Sequence, residues 1–381
     1  MKNPFIITGN IPEKYFCDRR EEAAKIIRTL SNGGNICLMS PRRMGKSKLV
    51  KFCYDKPEIT DNFYTFYIDI LHTSGLREFT YVFGQKVFEV LHSRSQKMFT
   101  ALVQGLKSIN AKFGFDPINN TPTFNIELGD ISKPEYTLTE IFDCLEQADK
   151  PCIVAFDEFQ QIMKYPEKNV ETLLRSHIQQ LSNVYFIFSG SERHLVSEMF
   201  LSSARPFYNS ASIMELHPIK SEIYTNFVCG LFNEFDKSVE GNDVMKVYDV
   251  FEGNTYYMQK TFHEAFINTA EGGTCSLSIL RQTIDSILEE AGDGYRLLLS
   301  RIPERQKELL YAIATEGKAE KIMSAAFVRK YSLLSASSVQ AALKKLMELD
   351  LLTVENGLYY IPDILFRMYL LRLKDRNREF I

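Results

Sequence analysis

Residues 33–50 constrain the fold more than any other part of the sequence. They begin with a short apolar run, residues 35–39, of the kind that forms a buried strand in a parallel sheet. From Lys46 onward the residues are typical of a helix. The loop between strand and helix, residues 40–47, reads Ser-Pro-Arg-Arg-Met-Gly-Lys-Ser. A strand that runs through such a loop into a helix predicts an α/β fold with a parallel sheet.

The loop fits the phosphate-binding pattern Gly-x-x-x-x-Gly-Lys-Ser/Thr, except that Ser40 replaces the first glycine. Gly45 lets the backbone come close to a phosphate, and the amides around it direct donors and a helix dipole at the anion. Lys46 is placed to reach the β- and γ-phosphates, and Ser47 to offer its hydroxyl to Mg²⁺. A chance Gly-Lys-Ser on a turn is the alternative. The residues predicted to contact the nucleotide here are Ser40, Pro41, Arg42, Arg43, Met44, Gly45, Lys46, Ser47 and Lys48.

In a second stretch, residues 151–160, an apolar run is followed by two adjacent carboxylates, Asp157 and Glu158. In phosphoryl-transfer sites the aspartate holds Mg²⁺, usually through water, and the glutamate orients and polarises the attacking water. An apolar run followed by Asp-Glu is a modest signal, but about a hundred residues after a Gly-Lys-Ser loop it becomes a strong one. We therefore predict that Asp157 and Ser47 hold the metal and that Glu158 is catalytic, together with Lys46.

Further candidates follow from two later segments and one earlier one. Ser189 and Ser191 come at the end of an apolar run, where either could form a hydrogen bond with the γ-phosphate or the attacking water. We predict that Ser189 does so. The alternative is a Ser-Gly-Ser turn without a role in the site. Arg205 lies in a loop and either reaches a phosphate, in its own subunit or a neighbour's, or pairs with a local carboxylate. Ile11 and Pro12 either pack on an adenine ring or form part of an N-terminal strap.

Taken together, these motifs resemble the AAA+ superfamily and, more narrowly, the STAND-like archaeal-type ATPase group. The loop of that group commonly reads Ser-Pro-Arg-Arg-Met-Gly-Lys-Ser, so a serine at its first position is expected. Other family-like marks occur at residues 16–19, 188–191, 205–208 and 253–257. The resemblance implies an ATP-binding core, a helical lid and a C-terminal winged helix. Thr255 stands where the lid of that group usually has a proline, and it lacks the fixed φ of proline.

The last part of the chain changes character. Residues 291–294, Ala-Gly-Asp-Gly, predict a turn-rich joint. Residues 301–381 then hold 14 Lys and Arg against 10 Asp and Glu, although the whole chain has a formal net charge of −3. Three helical patterns and an Asn-Gly turn signal within residues 351–361 predict a winged helix-turn-helix. Its mild positive charge is compatible with DNA, but its third helix has no arginine to read guanine, so a protein or intramolecular contact is the favoured alternative.

Composition excludes several other classes. Seven scattered cysteines without a Cys-x-x-Cys pair indicate free thiols in a reducing compartment rather than disulfides or zinc ligands. No apolar run approaches the ~18 residues of a membrane span, and no signal peptide is evident, so we expect a cytoplasmic chain without a membrane partner. The sequence does not decide between ATP and GTP, although the guanine-specific pattern Asn-Lys-x-Asp is absent.

We therefore predict an α/β chain: a P-loop NTPase core of AAA+ type with a parallel sheet flanked by helices over residues 1–219. A helical lid over 220–294 and a winged helix-turn-helix domain over 295–381 would follow. Residues 113–134 show little periodicity and are interpreted as irregular. The predicted activity is Mg²⁺-dependent hydrolysis of ATP to ADP and phosphate, driving movement of the lid and winged helix. The alternatives are a nucleotide-gated switch or DNA-binding regulator with little turnover, and a phosphotransferase; oligomerisation is compatible with the sequence.

Overall fold

The computed structural model describes residues 3–9, 11–108, 112–116, 121–125, 131–375 and 378–381. The chain forms two compact units. We call Arg19–His217 the sheet unit, and we call Met1–Asp18 together with Pro218–Ile381 the helical unit. The first 18 residues, which the predicted division gave to the core, thus lie in the helical unit. The division into core, lid and winged-helix domain stays a prediction.

The sheet unit is organised by one parallel sheet. The strands among its described residues are β1 Ile36–Met39, β2 Tyr64–Asp69, β3 Lys112–Asp116, β4 Thr121–Asn125, β5 Cys152–Asp157, β6 Val184–Gly190 and β7 Ser212–Glu215. Five of them pair in the order β2-β5-β6-β1-β7, and every pair in that sheet is parallel. β1 and β5 are buried along their whole length, which explains their continuous apolar sequences.

Parallel pairing brings the carboxyl ends of these strands to one edge of the sheet. Asp69 pairs with Asp157, and Met39 pairs with Gly190 on one side and Glu215 on the other. The same edge therefore carries three predicted features. These are the phosphate loop after β1, the Asp-Glu pair at the end of β5 and the serines around the end of β6. This is the edge at which open α/β sheets bind ligands.

The interpretation of residues 113–134 as irregular is wrong for part of that segment. β3 and β4 form an antiparallel pair in which Phe113 lies opposite Phe124. β3 contains Gly114 and β4 contains Pro122. Because both residue types are depleted in strands, the sequence of this segment did not indicate two strands. Residues 117–120 and 126–130 of the same segment lie outside the described residues.

Helices cover the sheet. In the described part of this unit they are α1 Arg20–Ser31, α2 Lys46–Tyr54, α3 Pro57–Thr60, α4 Leu76–Arg94, α5 Gln96–Gly105, α6 Pro134–Glu146, α7 Val170–Ile178 and α8 Arg193–Leu201, with a 3₁₀ helix at Phe159–Lys164. Phe156 of β5 packs between Phe79 and Phe83 of α4, with ring centroids 5.2 Å apart in both pairs. Burying such rings contributes about 1.5–3 kcal/mol each, so β5 is held firmly up to its polar end.

The helical unit carries the lid-like and winged-helix segments. Its described elements are a 3₁₀ helix at Glu13–Tyr15, α9 Ser221–Glu234, β8 Ser238–Val239, α10 Gly241–Val250, α11 Thr255–Asn268, β9 Thr274–Cys275, α12 Leu277–Ser300, α13 Glu304–Glu316, α14 Ala325–Lys330, α15 Ala336–Glu348, β10 Thr353–Glu355, β11 Leu358–Tyr360 and α16 Ile364–Lys374. None of the helices described in either unit is long and apolar enough to cross a membrane.

The predicted joint at residues 291–294 is wrong, because α12 runs through it without a break. Each glycine in a helix costs about 1 kcal/mol relative to alanine, and two of them suggested a turn. Gly292 is buried, and a Cβ atom there would lie 3.4 Å from the ring of Tyr369 in α16. Close packing of α12 against α16 thus outweighs the low helix propensity of this segment.

The predicted winged helix is confirmed. Ser335 caps α15 by accepting a hydrogen bond from the amide of Ser338 at 3.2 Å. Asn356 and Gly357 have φ of 51° and 79°, the conformation that a two-residue hairpin turn requires, and they join β10 to β11. Leu349 follows the last residue of α15 and is 55% exposed.

Candidate active site

The phosphate loop turns the chain from β1 into α2 with two residues in the left-handed region. Arg43 has a φ of 68° and Gly45 a φ of 92°. Residues with a side chain rarely adopt the φ of Gly45, which explains the glycine at this position. Met44, between them, is buried and anchors the loop. Gly45 is also the N-cap of α2, so the first amides of that helix face the loop.

Lys46 is the buried cation of the site, with 5% of its surface exposed. Its Nζ donates to the carbonyl oxygens of Ser40 at 3.1 Å and Pro41 at 3.3 Å. Burial lowers the pKa of Lys46, while the charges of Glu158 and Asp157 act in the opposite direction. A buried ammonium group is costly unless anions compensate it, so this loop is arranged to receive negative charge.

Asp157 ends β5 and is 5% exposed. Its Oδ2 accepts a hydrogen bond from the hydroxyl of Ser47 at 2.8 Å and another from the hydroxyl of Tyr67. The amide of Glu158 donates to Oδ1 at 3.1 Å. The structure therefore brings Ser47 and Asp157 into direct contact, and their role as metal ligands stays a prediction.

Tyr67 is a site residue that the sequence did not reveal. It lies on β2, two residues before Asp69, and pairs in register with Ala155 of β5. Burial raises the pKa of its hydroxyl, and the charge of Asp157 adds to the effect, so Tyr67 stays a hydrogen-bond donor. Only the pairing of β2 with β5 brings it to Asp157, and no local motif encodes that pairing.

The donor set at Ser47 and Asp157 fits Mg²⁺. This ion prefers oxygen ligands and is usually bound through one or two carboxylates plus substrate phosphates and water. Among the described residues, no group of three or more His, Cys, Asp or Glu side chains could hold a metal by itself. One hydroxyl and one carboxylate beside a phosphate loop match the sites that share the ion with a bound nucleotide.

Glu158 lies next to Asp157 and has a φ of 56°. Its Oε2 accepts hydrogen bonds from the Nε2 atom of Gln160 and from the amide and hydroxyl of Ser191. The same hydroxyl accepts a hydrogen bond from Nε of Arg42 at 3.4 Å. Ser191 therefore links the phosphate loop to the predicted catalytic glutamate, a contact that no feature of the sequence distinguished from the alternative at Ser189.

Ser189 and Arg205 have different surroundings from Ser191. Ser189 is 1% exposed, and its hydroxyl has no hydrogen-bond partner among the described residues. Arg205 pairs with Glu171 at 3.0 Å and with Glu198 at 3.4 Å. The local ion pair, one of the two alternatives for Arg205, is thus formed. Roles of Ser189 and Arg205 at a phosphate stay predictions.

The remaining predicted residues are Arg43 and Lys48 of the sheet unit and Ile11 and Pro12 of the helical unit. Arg43 is exposed, and Lys48 is half-buried on α2. Ile11 and Pro12 belong to the helical unit, just before its first 3₁₀ helix. Their packing on an adenine ring stays a prediction.

Comparisons with known proteins agree with this geometry. The family model described as an ATPase domain predominantly from Archaea matches residues 16–261, and that of a probable winged helix domain matches residues 293–372. A search of curated proteins found no match.

Solved structures show the same fold. The Walker-type ATPase PABY2304 of Pyrococcus abyssi has a TM-score of 0.68 and 19% identity, over 97% of this chain and 99% of that one. The ORC2 protein of Aeropyrum pernix, in its ADPNP-ADP complexes, has a TM-score of 0.58 and 16% identity, over 99% of both chains. The predicted architecture, a parallel sheet flanked by helices in an ATPase domain and a C-terminal winged helix, is confirmed. The chain belongs to the family of ATPase domains found predominantly in Archaea.

Proposed function

We propose that the chain binds ATP at its phosphate loop and hydrolyses it to ADP and phosphate with the help of Mg²⁺. The observation that carries the proposal is the 2.8 Å contact between Ser47 of the loop and Asp157, beside buried Lys46. Two elements separated by about a hundred residues thus place a hydroxyl, a carboxylate and an ammonium group together. Membership of an ATPase family supports the same conclusion.

Different residues of the chain bind the phosphates, hold the metal and activate the water. The amides after Gly45 and the ammonium group of Lys46 bind the phosphates. When bound by Ser47 and Asp157, Mg²⁺ would neutralise charge on the β- and γ-phosphates. Glu158 accepts a proton from the attacking water, which makes that water a better nucleophile.

Ser189 is proposed to sense the γ-phosphate. Its buried hydroxyl lacks a hydrogen-bond partner among the described residues, and such a group costs about 1–3 kcal/mol. A phosphate oxygen within reach would remove that cost. Hydrolysis would then drive rearrangement of the lid and the winged helix, with DNA or a protein as the macromolecular partner.

Phosphate release at steady state, combined with equilibrium binding of ATP, tests the proposal. Glu158→Gln should keep ATP affinity and lose about 10²- to 10⁴-fold in turnover, since it removes the general base. The control is Glu89→Gln, which makes the same change on α4 at an exposed residue paired with Lys86. Equal turnover of Glu158→Gln and the unmutated protein would reject the role of Glu158.

A nucleotide-gated switch or DNA-binding regulator with little turnover remains the second candidate. The mild positive charge of residues 301–381 favours it. The same assay separates the two candidates, because the switch would bind ATP tightly yet release no phosphate above the rate of Glu158→Gln.

A further inference from the structure

We infer that Gln160 and Ser191 position the catalytic glutamate: they fix Oε2 of Glu158 so that Oε1 is left to receive the proton of the attacking water. This inference rests on the proposed hydrolysis and adds two residues to it. Both are positioning residues, since they act through Glu158.

Three donors converge on a single oxygen of Glu158. Nε2 of Gln160 donates to Oε2 at 2.6 Å, the hydroxyl of Ser191 at 2.5 Å and the amide of Ser191 at 3.2 Å. The other oxygen, Oε1, accepts none of these bonds. Hydrogen bonds to a charged carboxylate are stronger than those between neutral groups, so three of them hold the plane of this carboxylate in one orientation.

The backbone directs the side chain of Glu158 toward these donors. Its φ of 56° lies in the left-handed region, which is uncommon for a residue with a Cβ atom. The chain then enters the 3₁₀ helix Phe159–Lys164, and this tight turn brings Gln160 back beside Glu158. Strain of this kind persists where the surrounding contacts over-determine it, and it is frequent at functional sites.

Burial of Gln160 is energetically unfavourable if the side chain has a structural role only. It is fully buried, at 0% exposure, and its Oε1 has no hydrogen-bond partner among the described residues. Leaving such an oxygen unpaired costs about 1–3 kcal/mol, whereas a methionine of similar size would fill the space without that cost. The amide is therefore retained for what its Nε2 does, which is to donate to Glu158.

Gly190 makes room for this arrangement. A Cβ atom at Gly190 would lie 2.5 Å from Oε1 of Gln160 and 2.4 Å from Cγ2 of Val196. The glycine between Ser189 and Ser191 thus lets Gln160 approach β6 closely.

Ser191 connects the phosphate loop to the same carboxylate. Its hydroxyl donates to Glu158 and accepts a hydrogen bond from Nε of Arg42. The orientation of the glutamate is consequently coupled to the loop that is proposed to hold the phosphates.

The chemical step needs the two oxygens of Glu158 to have different roles, Oε2 as the fixed atom and Oε1 as the proton acceptor. The water oxygen forms a bond to the γ-phosphorus, the bond from that phosphorus to the bridging oxygen of ADP breaks, and a proton of the water passes to Glu158. A fixed Oε2 leaves Oε1 as the acceptor in a defined direction, which is the positioning that such catalysis requires.

The test compares Gln160→Met and Ser191→Ala with a matched control, Gln161→Met. Gln161 lies on the same 3₁₀ helix, and its Nε2 donates to the carbonyl of Thr73 at 3.0 Å, away from Glu158. Gln160→Met and Ser191→Ala should each lower kcat for phosphate release about 10- to 100-fold. KM, ATP affinity and the melting temperature should stay close to those of the unmutated protein, and Ser191→Thr should restore kcat. Gln161→Met should leave kcat unchanged.

Each other outcome overturns the inference in a recognisable way. An unchanged kcat in both variants, with Glu158→Gln inactive, removes the positioning role and leaves the proposed hydrolysis intact. A raised kcat shows that the two residues restrain the glutamate instead of orienting it. A fall in kcat accompanied by equal losses of ATP affinity and melting temperature shows a structural role only. Absence of turnover in the unmutated protein, by contrast, defeats the proposed function itself.

Discussion

Two aspartates, one in each unit, have similar hydrogen bonds and different neighbours. Asp157 of the sheet unit accepts from the hydroxyls of Ser47 and Tyr67. Asp363 of the helical unit also accepts from two side-chain hydroxyls, both of them tyrosines. Hydrogen bonds alone would therefore assign the two residues the same task.

The partners of Asp363 show that its task is structural. Tyr257 of α11 donates to Oδ1 at 2.8 Å, and Tyr295 of α12 donates to Oδ2 at 3.0 Å. The amides of Leu365 and Phe366 also donate to Oδ1, so Asp363 is the N-cap of α16. One carboxylate thus joins three helices of the same unit.

The neighbours of Asp157 indicate chemistry instead. A buried lysine, Lys46, and a second carboxylate, Glu158, lie beside it, and Ser47 comes from a phosphate loop. Burial of several charged groups together is costly, and proteins retain such clusters mainly where they bind or react. Charged neighbours, more than the number of hydrogen bonds, therefore distinguish a candidate catalytic carboxylate from a structural one.

Asp157→Asn should have the largest effect. It removes the charge that is proposed to hold Mg²⁺ while keeping an oxygen that accepts from Ser47 and Tyr67. We expect Mg²⁺-dependent phosphate release to fall at least about 100-fold. The melting temperature, measured by circular dichroism, should change little. Asp363→Asn is the matched control and should release phosphate at the unmutated rate; equal activity of the two variants would contradict the comparison.

Asp363→Ala should mainly affect stability. The helix cap is lost and two tyrosine hydroxyls lose their acceptor, so the free energy of unfolding should fall by roughly 1–3 kcal/mol. Urea denaturation followed by circular dichroism measures the change. ATP affinity at 25 °C should remain unchanged. A stable variant that no longer binds ATP would show that Asp363 serves the nucleotide site after all.

Tyr67→Phe should have a moderate effect on activity. It removes one hydrogen bond from Asp157 and keeps the ring that lies under Nζ of Lys51 at 4.8 Å. We expect kcat for phosphate release to fall about 3- to 10-fold, because Oδ2 of Asp157 then keeps only the hydrogen bond from Ser47. Stopped-flow or steady-state phosphate measurements detect this change. An unaltered kcat would mean that Tyr67 only fills space.

Tyr257→Phe should have the smallest effect. Loss of one hydroxyl that donates to Asp363 should reduce the free energy of unfolding by about 0.5–1.5 kcal/mol, without changing phosphate release. A double-mutant cycle with Asp363→Ala, which removes the acceptor, measures the coupling between the two residues. Additive effects would indicate that the 2.8 Å contact contributes nothing to stability.

Much of the site was predictable because its motifs are contiguous in sequence. The loop and the Asp-Glu pair each follow an apolar strand, so a parallel sheet brings them to one edge. Ser189 and Ser191, by contrast, are two residues apart and strand periodicity does not distinguish them, so the prediction of Ser189 missed the contact between Ser191 and Glu158. Gln160 follows Glu158 by two residues and lies outside the phosphate-loop and Asp-Glu motifs, and only the 3₁₀ helix places it at the carboxylate.

The fold was less predictable where packing opposes local preference. Residues 291–294 have the composition of a turn, yet the fit of Gly292 against α16 keeps α12 continuous. β7 has only four residues, too few for an alternating pattern to be recognised. Both features depend on partners distant in sequence.

The proposed function requires that a nucleoside triphosphate binds at the loop before Lys46. Calorimetric titration of ATP with Mg²⁺ into the unmutated protein and into Lys46→Ala tests this binding, with Lys86→Ala as the control, since the half-buried Lys86 of α4 pairs with Glu89. We predict that Lys46→Ala weakens ATP affinity at least about 100-fold, which is about 2.7 kcal/mol, while Lys86→Ala binds normally. Equal affinity of Lys46→Ala and the unmutated protein would contradict the account.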